Sequence, residues 1–144
     1  MAISRLRIAC VVVTIATSFA SCGSDSSPSP AVPSLAGTWV GTETDTVAGV
    51  GSLQATVFQN GSTLSGTYAL IFPSLPISNN SGTLSGSVSG TNVSMTATPT
   101  NPAFCPATDT ATVNAAGTQI TGTYVAVAGC NLTHQTGSFT VTKQ

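Results

Sequence analysis

The segment Thr63 to Leu70 reads TLSGTYAL, and close variants recur as TLSGSV at 83–88 and QITGTYV at 119–125. Each copy alternates apolar and polar residues. In an extended chain that spelling gives one apolar face and one polar face, whereas a helix would scatter the same residues around its circumference. A glycine on the apolar register in mid-segment disfavours helix further and suits a strand that must bend sharply. The chain is thereby restricted to sheet.

From Leu35 onward the period of two persists, broken by turn residues at roughly 8- to 12-residue intervals. The alternation predicts strands over 38–44, 52–59, 63–72, 83–89, 93–98, 108–113, 119–127 and 137–142. Their inward faces read Leu53, Ala55 and Val57; Leu64, Gly66, Tyr68 and Leu70; Leu84, Gly86 and Val88; Val93, Met95 and Ala97; and Ile120, Gly122, Tyr124 and Ala126. Asn60-Gly61 is a hairpin signal of the type I′ class, which needs positive φ at both central positions. The expected fold is all-β, an eight-stranded antiparallel up-and-down barrel, with a β-sandwich as the alternative. Gly66, Gly86 and Gly122 permit coiling of a small closed sheet.

In such a meander the connections alternate between two ends. The turns near residues 60, 91 and 115 are short and share one end. The other four are expected to be longer, and they include Pro73, Pro76, Pro99, Pro102 and Pro106. Cys105 and Cys130 fall at that long-loop end, where a disulfide can join them. Closing a loop of roughly 25 residues contributes on the order of 3 kcal/mol.

The N-terminus has the charged, apolar and small-residue order of a secretory signal: Arg5 and Arg7, then an almost wholly apolar run at 8–20, then Ser21-Cys22. The apolar run is too short for a comfortable helical span of about 20 residues. Phe19-Ala20-Ser21-Cys22 resembles the lipobox of bacterial lipoproteins, with Phe19 where Leu is more usual. The resemblance implies cleavage before Cys22, acylation of that cysteine and loss of Cys10 with the signal. Gly23, where an aspartate tends to retain such proteins at the inner membrane, resembles outer-membrane sorting. The implied organisation is a signal at 1–21, a lipidated Ser/Pro tether at 22–34 and a barrel domain at 35–144. The first strand starts at the short-turn end, so the long-loop rim is expected to face away from the membrane.

Only 5% of the residues are charged. Beyond Arg7 the one lysine or arginine is Lys143, which cannot supply the clustered cations that nucleic acid requires. The acids are Asp25, Glu43, Asp45 and Asp109, and His134 is the sole histidine. With Cys105 and Cys130 paired, no plausible set of metal ligands remains. No nucleophile-elbow pattern surrounds a serine, so the expectation is a non-enzymatic protein without cofactor.

Gly37-Thr38-Trp39 resembles the Gly-x-Trp start of lipocalins and other calycins. Together with Leu64 to Tyr68 and Gly137 to Thr140 it is similar in order and spacing to pieces of avidin-like proteins, also eight-stranded meanders. The resemblance implies that Trp39 plugs the closed end and that Tyr68 lines a pocket. Biotin binding does not carry over. Leu70 replaces a polar ligand contact, Gly41 and Asp45 stand roughly where the first loop should offer Asn and Ser, and Trp39 is the only tryptophan.

Two roles remain open. One is a carrier of a small apolar or amphipathic ligand, with Trp39 as floor and Tyr68, Tyr124, Leu70 and Met95 as walls; the competing reading of the same residues is a filled core. The other is a protein- or glycan-binding module using the disulfide-pinned rim, where Phe72, Leu75, Ile77 and Phe104 are apolar residues on polar loops.

Overall fold

The computed structural model describes residues 33–74, 79–127 and 135–144. The signal-like segment, Cys22 and the tether up to residue 32, Leu75, Pro76, Ile77, Cys130 and His134 lie outside the described residues.

Eight strands follow one another: β1 (Gly37–Asp45), β2 (Gly49–Asn60), β3 (Thr63–Ile71), β4 (Asn79–Ser89), β5 (Asn92–Pro99), β6 (Ala107–Val113), β7 (Gln119–Ala126) and β8 (Thr136–Lys143). Each pairs antiparallel with the next. β8 returns to β1, with Trp39 opposite Lys143 at one end of the ladder and Asp45 opposite Gly137 at the other, so the sheet is a closed barrel. That pairing excludes the sandwich.

Three local expectations need correction. The β1–β2 connection is a tight turn over 46–48 rather than a long loop. The Asp45 carboxylate accepts the Val47 and Ala48 amides at 2.7 and 2.6 Å, and Gly49 follows with φ of +79°, a conformation that suits glycine. In the β2–β3 hairpin Asn60 pairs with Thr63, so the two-residue loop is Gly61-Ser62, one position later than Asn60-Gly61. Gly61 takes its first central position at φ +59°. β4 starts at Asn79, four residues early, because the polar run Asn79-Asn80-Ser81 continues the backbone ladder opposite Ile71, Leu70 and Ala69.

Inside, packing is uneven along the axis. At the short-turn end Leu35, Trp39, Leu64 and Val88 are the most deeply buried side chains, and Val93, Val113 and Ile120 lie among them. The chain before β1 folds over this end as a plug. The Leu35 amide donates to Gln59 Oε1 at 2.6 Å, the Trp39 indole donates to the Leu35 carbonyl at 2.8 Å, and the Lys143 ammonium donates to the Ser34 carbonyl at 2.8 Å. Lys143 Nζ also sits 5.7 Å from the centre of the Trp39 ring, within cation–π range.

The repeated glycines serve curvature. A Cβ on Gly66 or Gly86 would run into the backbone carbonyl of Thr56 or Ser94 on the adjacent strand, and one on Gly122 into Ala111 and the Phe139 ring. The space they vacate is taken by neighbouring atoms. Outside, hydroxyl side chains face one another across strands, as in Thr42 with Thr140, Thr110 with Thr123 and Ser87 with Ser94. This hydroxyl coat, interrupted by exposed Val40, Val50, Phe58, Ile71 and Val125, hydrates a surface with few charges.

Candidate functional site

Above the packed floor the barrel holds a cavity of about 210 Å³, reaching from Trp39 to the long-loop mouth. That is room for a molecule with the bulk of roughly seven waters. Where the sequence allowed either a filled core or an open interior, the long-loop half contains open space. Its walls include Leu53, Leu70, Leu84, Met95 and Ala97, whose side chains are apolar. All five residues singled out from the sequence, Trp39, Tyr68, Leu70, Met95 and Tyr124, lie on its surface.

Phe72 and Phe104, expected on the rim, also line the cavity, and Phe72 is only 4% exposed. Phe72 enters because Gly51, opposite the end of β3, has no side chain: a Cβ there would meet the phenylalanine ring at 2.7 Å. The Ser74 hydroxyl donates to the Ala48 carbonyl, tying the β3–β4 connection to the β1–β2 turn. Cys105 lines the mouth as well.

The polar content of the cavity is what sequence reading missed. Counting by twos along β1 from Trp39 gives Gly41, Glu43 and Asp45, and counting back along β6 from Val113 gives Ala111 and Asp109. Glu43 and Asp109 line the cavity, while Asp45 is buried at its edge. The ladder aligns Asp45, Gly137, Tyr124, Asp109 and Met95 as successive partners across β1, β8, β7, β6 and β5. A Cβ on Gly137 would meet the Tyr124 ring, so the missing side chain lets the tyrosine lie across β8. Its hydroxyl donates to Asp45 Oδ2. On the facing wall the Tyr68 hydroxyl donates to Asn80 Oδ1 at 3.2 Å.

These environments split the carboxyls. Burial pushes Glu43 up to about 7, with Asp109 and Asp45 adding repulsion and the Tyr124 hydroxyl opposing. Burial alone pushes Asp109 up to about 7. Burial also acts to raise Asp45, but the Tyr124 hydroxyl, the Ala48 amide, Gln135 and the Val47 amide outweigh it and hold this carboxyl below its ordinary value. Tyr68 is pushed up to about 12 by burial, against its bond to Asn80, and Tyr124 higher still by burial and its anionic neighbours. The interior therefore contains one fixed carboxylate, spent on the turn, and two carboxyls poised near neutrality. Among the described residues no three His, Cys, Asp or Glu side chains are grouped as a metal site requires.

No protein-family model matches the chain, and the search of curated proteins finds no match. Solved structures do match in fold. The barrel described as EF1p2_mFAP2b bound to DFHBI superposes with a TM-score of 0.63 at 16% identity, over 76% of this chain and 94% of that one. A redesigned beta barrel, mFAP0, bound to DFHBI, gives 0.60 at 15% identity, over 76% and 98%. At this identity the likeness is one of fold: the chain is a small closed eight-stranded meander barrel.

Proposed function

We propose that this domain is a non-enzymatic binding barrel that holds a small amphipathic molecule in its long-loop half. The observation that carries the reading is the cavity of about 210 Å³ with a mostly apolar wall and a few inward polar groups, the usual make-up of a ligand pocket. Two solved barrels of similar fold are each described as bound to a small molecule, DFHBI, which supports the reading by analogy. The rim-binding alternative draws less support, because Phe72 turns inward instead of offering itself to a partner.

The test is a cavity-filling substitution. An apolar fluorescent probe such as N-phenyl-1-naphthylamine should bind with enhanced emission, and Ala97→Trp, which projects bulk into the cavity, should abolish that signal while the barrel still melts cooperatively. Undiminished binding by the variant would place the probe elsewhere and remove the basis for the reading.

The cellular setting belongs to the same proposal. The lipobox-like Phe19 to Cys22 supports an exported protein anchored by lipid at the outer membrane, and the Cys105–Cys130 pair supports a disulfide across the mouth. Cys22→Ser should block lipid labelling and release the protein from membranes; unchanged membrane association would refute the anchor. Peptide mapping without reduction should recover the crosslinked cysteine pair, and two free thiols would refute the disulfide.

A further inference from the structure

The cavity is the site; what remains is the chemistry of its occupant. Glu43 is about nine-tenths buried, lines the cavity and sits one inward step below the mouth on β1. Tyr124 is the donor beside it, yet a phenol has one proton, and Asp45 competes for it. An ionised Glu43 therefore shares its one donor with a second carboxylate. Asp109, on the wall formed by β6, accepts no hydrogen bond from any described residue and is close enough to Glu43 for the two charges to repel.

Among the described residues no cation faces them. The chain's arginines are at positions 5 and 7, and Lys143, the single lysine, is held at the opposite end by the Ser34 carbonyl and the Trp39 ring. His134 lies outside the described residues. Asp45, Tyr68 and Tyr124, the other titratable groups facing this pair, are anionic or neutral. A buried carboxyl pair in this situation must either keep its protons or receive a positive charge from outside.

We propose that the cavity is built for an amphipathic amine, its ammonium group seated between Glu43 and Asp109 and its apolar body directed past Met95 and Leu53 toward Trp39. The inference rests on the ligand-binding reading of the barrel. Three hydrogens on a primary ammonium match two carboxylates and leave one for the Tyr68 hydroxyl oxygen. An uncharged alcohol of the same length fills the same space but answers neither charge. A carboxylate ligand meets repulsion from both.

Binding is then linked to protons. Glu43 and Asp109 are poised near 7, so below that pH the site holds two neutral acids, and seating the ammonium displaces their protons. An alkylamine stays protonated throughout this range, so its affinity rises with pH because the site ionises.

The experiment is calorimetric titration of the chain lacking residues 1–22, whose closed barrel is complete from residue 33 onward, with octylamine, 1-octanol and octanoate. At pH 8 octylamine should bind at least tenfold more tightly than octanol, and octanoate more weakly than either. At pH 5 the preference for amine should fall to a few-fold, and near pH 6.5 the apparent heat should depend on the buffer in the way proton release demands. Glu43→Gln and Asp109→Asn should each reduce octylamine affinity about tenfold and narrow its margin over octanol, with a cooperative melt showing that the variants are folded; a margin kept in full by both variants overturns the amine inference. If octanol binds as tightly as octylamine, the cavity is a ligand site and the amine inference is overturned. If none of the three binds at millimolar concentration, both the inference and the ligand-binding reading fall.

Discussion

The Tyr124 hydroxyl reaches across β8 to donate to the Asp45 carboxylate, and it does so over Gly137, the residue that lies between them in the ladder. Three strands and the β1–β2 turn meet in this contact. Asp45 uses its other oxygen to accept the Val47 and Ala48 amides, so one carboxylate anchors the mouth of the cavity from two directions.

Removing the donor should therefore be felt at the mouth. Tyr124→Phe leaves a 4%-exposed carboxylate with one partner fewer, at a cost of about 1–3 kcal/mol. Chemical denaturation should show a lower midpoint with an unchanged slope, and the Asp45 carboxyl should titrate higher than in the parent by carbon-detected NMR. A stability equal to the parent would mean that the contact contributes nothing.

Gly137→Ala tests the geometry that makes the contact possible. The added methyl would strike the Tyr124 ring and the Thr44 carbonyl, so either the ring or the strand pairing must move. The expected loss is about 1–3 kcal/mol, in the range of overpacking. Hydrogen exchange should accelerate first in β8 and the β1–β2 turn; exchange unchanged there would contradict the placement of the ring.

Stability of the empty barrel should fall as pH rises. Glu43 and Asp109 titrate near 7 in the folded state against 4.5 and 3.8 ordinarily, so folding takes up protons between those values. Their contribution is full below about pH 4 and is lost as pH rises through 7. Asp45 has the opposite sign: its contribution is present above its ordinary 3.8 and is lost in more acidic solution. The melting temperature should be higher at pH 5 than at pH 8 by roughly 10 °C, given that about 1 kcal/mol shifts a domain of this size by several degrees. In the double variant Glu43→Gln, Asp109→Asn the difference should shrink by more than half. A parent protein that is more stable at pH 8 would contradict the burial of the two acids.

At the closed end, Trp39→Ala should cost about 3–5 kcal/mol, because it removes a fully buried indole together with its bond to the Leu35 carbonyl. Lys143→Met should cost much less, since that pairing is exposed. Thermal melts of the two variants separate these cases, and equal losses would show that the plug is not organised around Trp39.

The alternation around TLSGTYAL made the barrel legible, because strand faces follow directly from a period of two, and the same reading placed Tyr68, Leu70, Met95 and Tyr124 on the interior, while Trp39 was placed there by the resemblance of Gly37-Thr38-Trp39 to the calycin start. The two hairpin details and the start of β4 were not legible. They depend on which backbone groups pair, and Asn79-Asn80-Ser81 shows no side-chain pattern that announces a strand. The inward acids were within reach: Glu43 and Asp45 keep the parity of Trp39, and Asp109 keeps that of Val113. An apolar-face search passes over them because a carboxyl on an inward position breaks the pattern it looks for. Inward parity with the wrong polarity was itself the signal that the interior is not purely apolar.

The most direct test of the account is native mass spectrometry of the protein purified gently from its own host, with residues 1–32 removed before measurement. A barrel that carries a small bound mass, released on denaturation and basic in character, is the predicted result. A uniformly empty protein that also refuses added small amphiphiles would contradict the central claim that the long-loop half of this barrel is a ligand site.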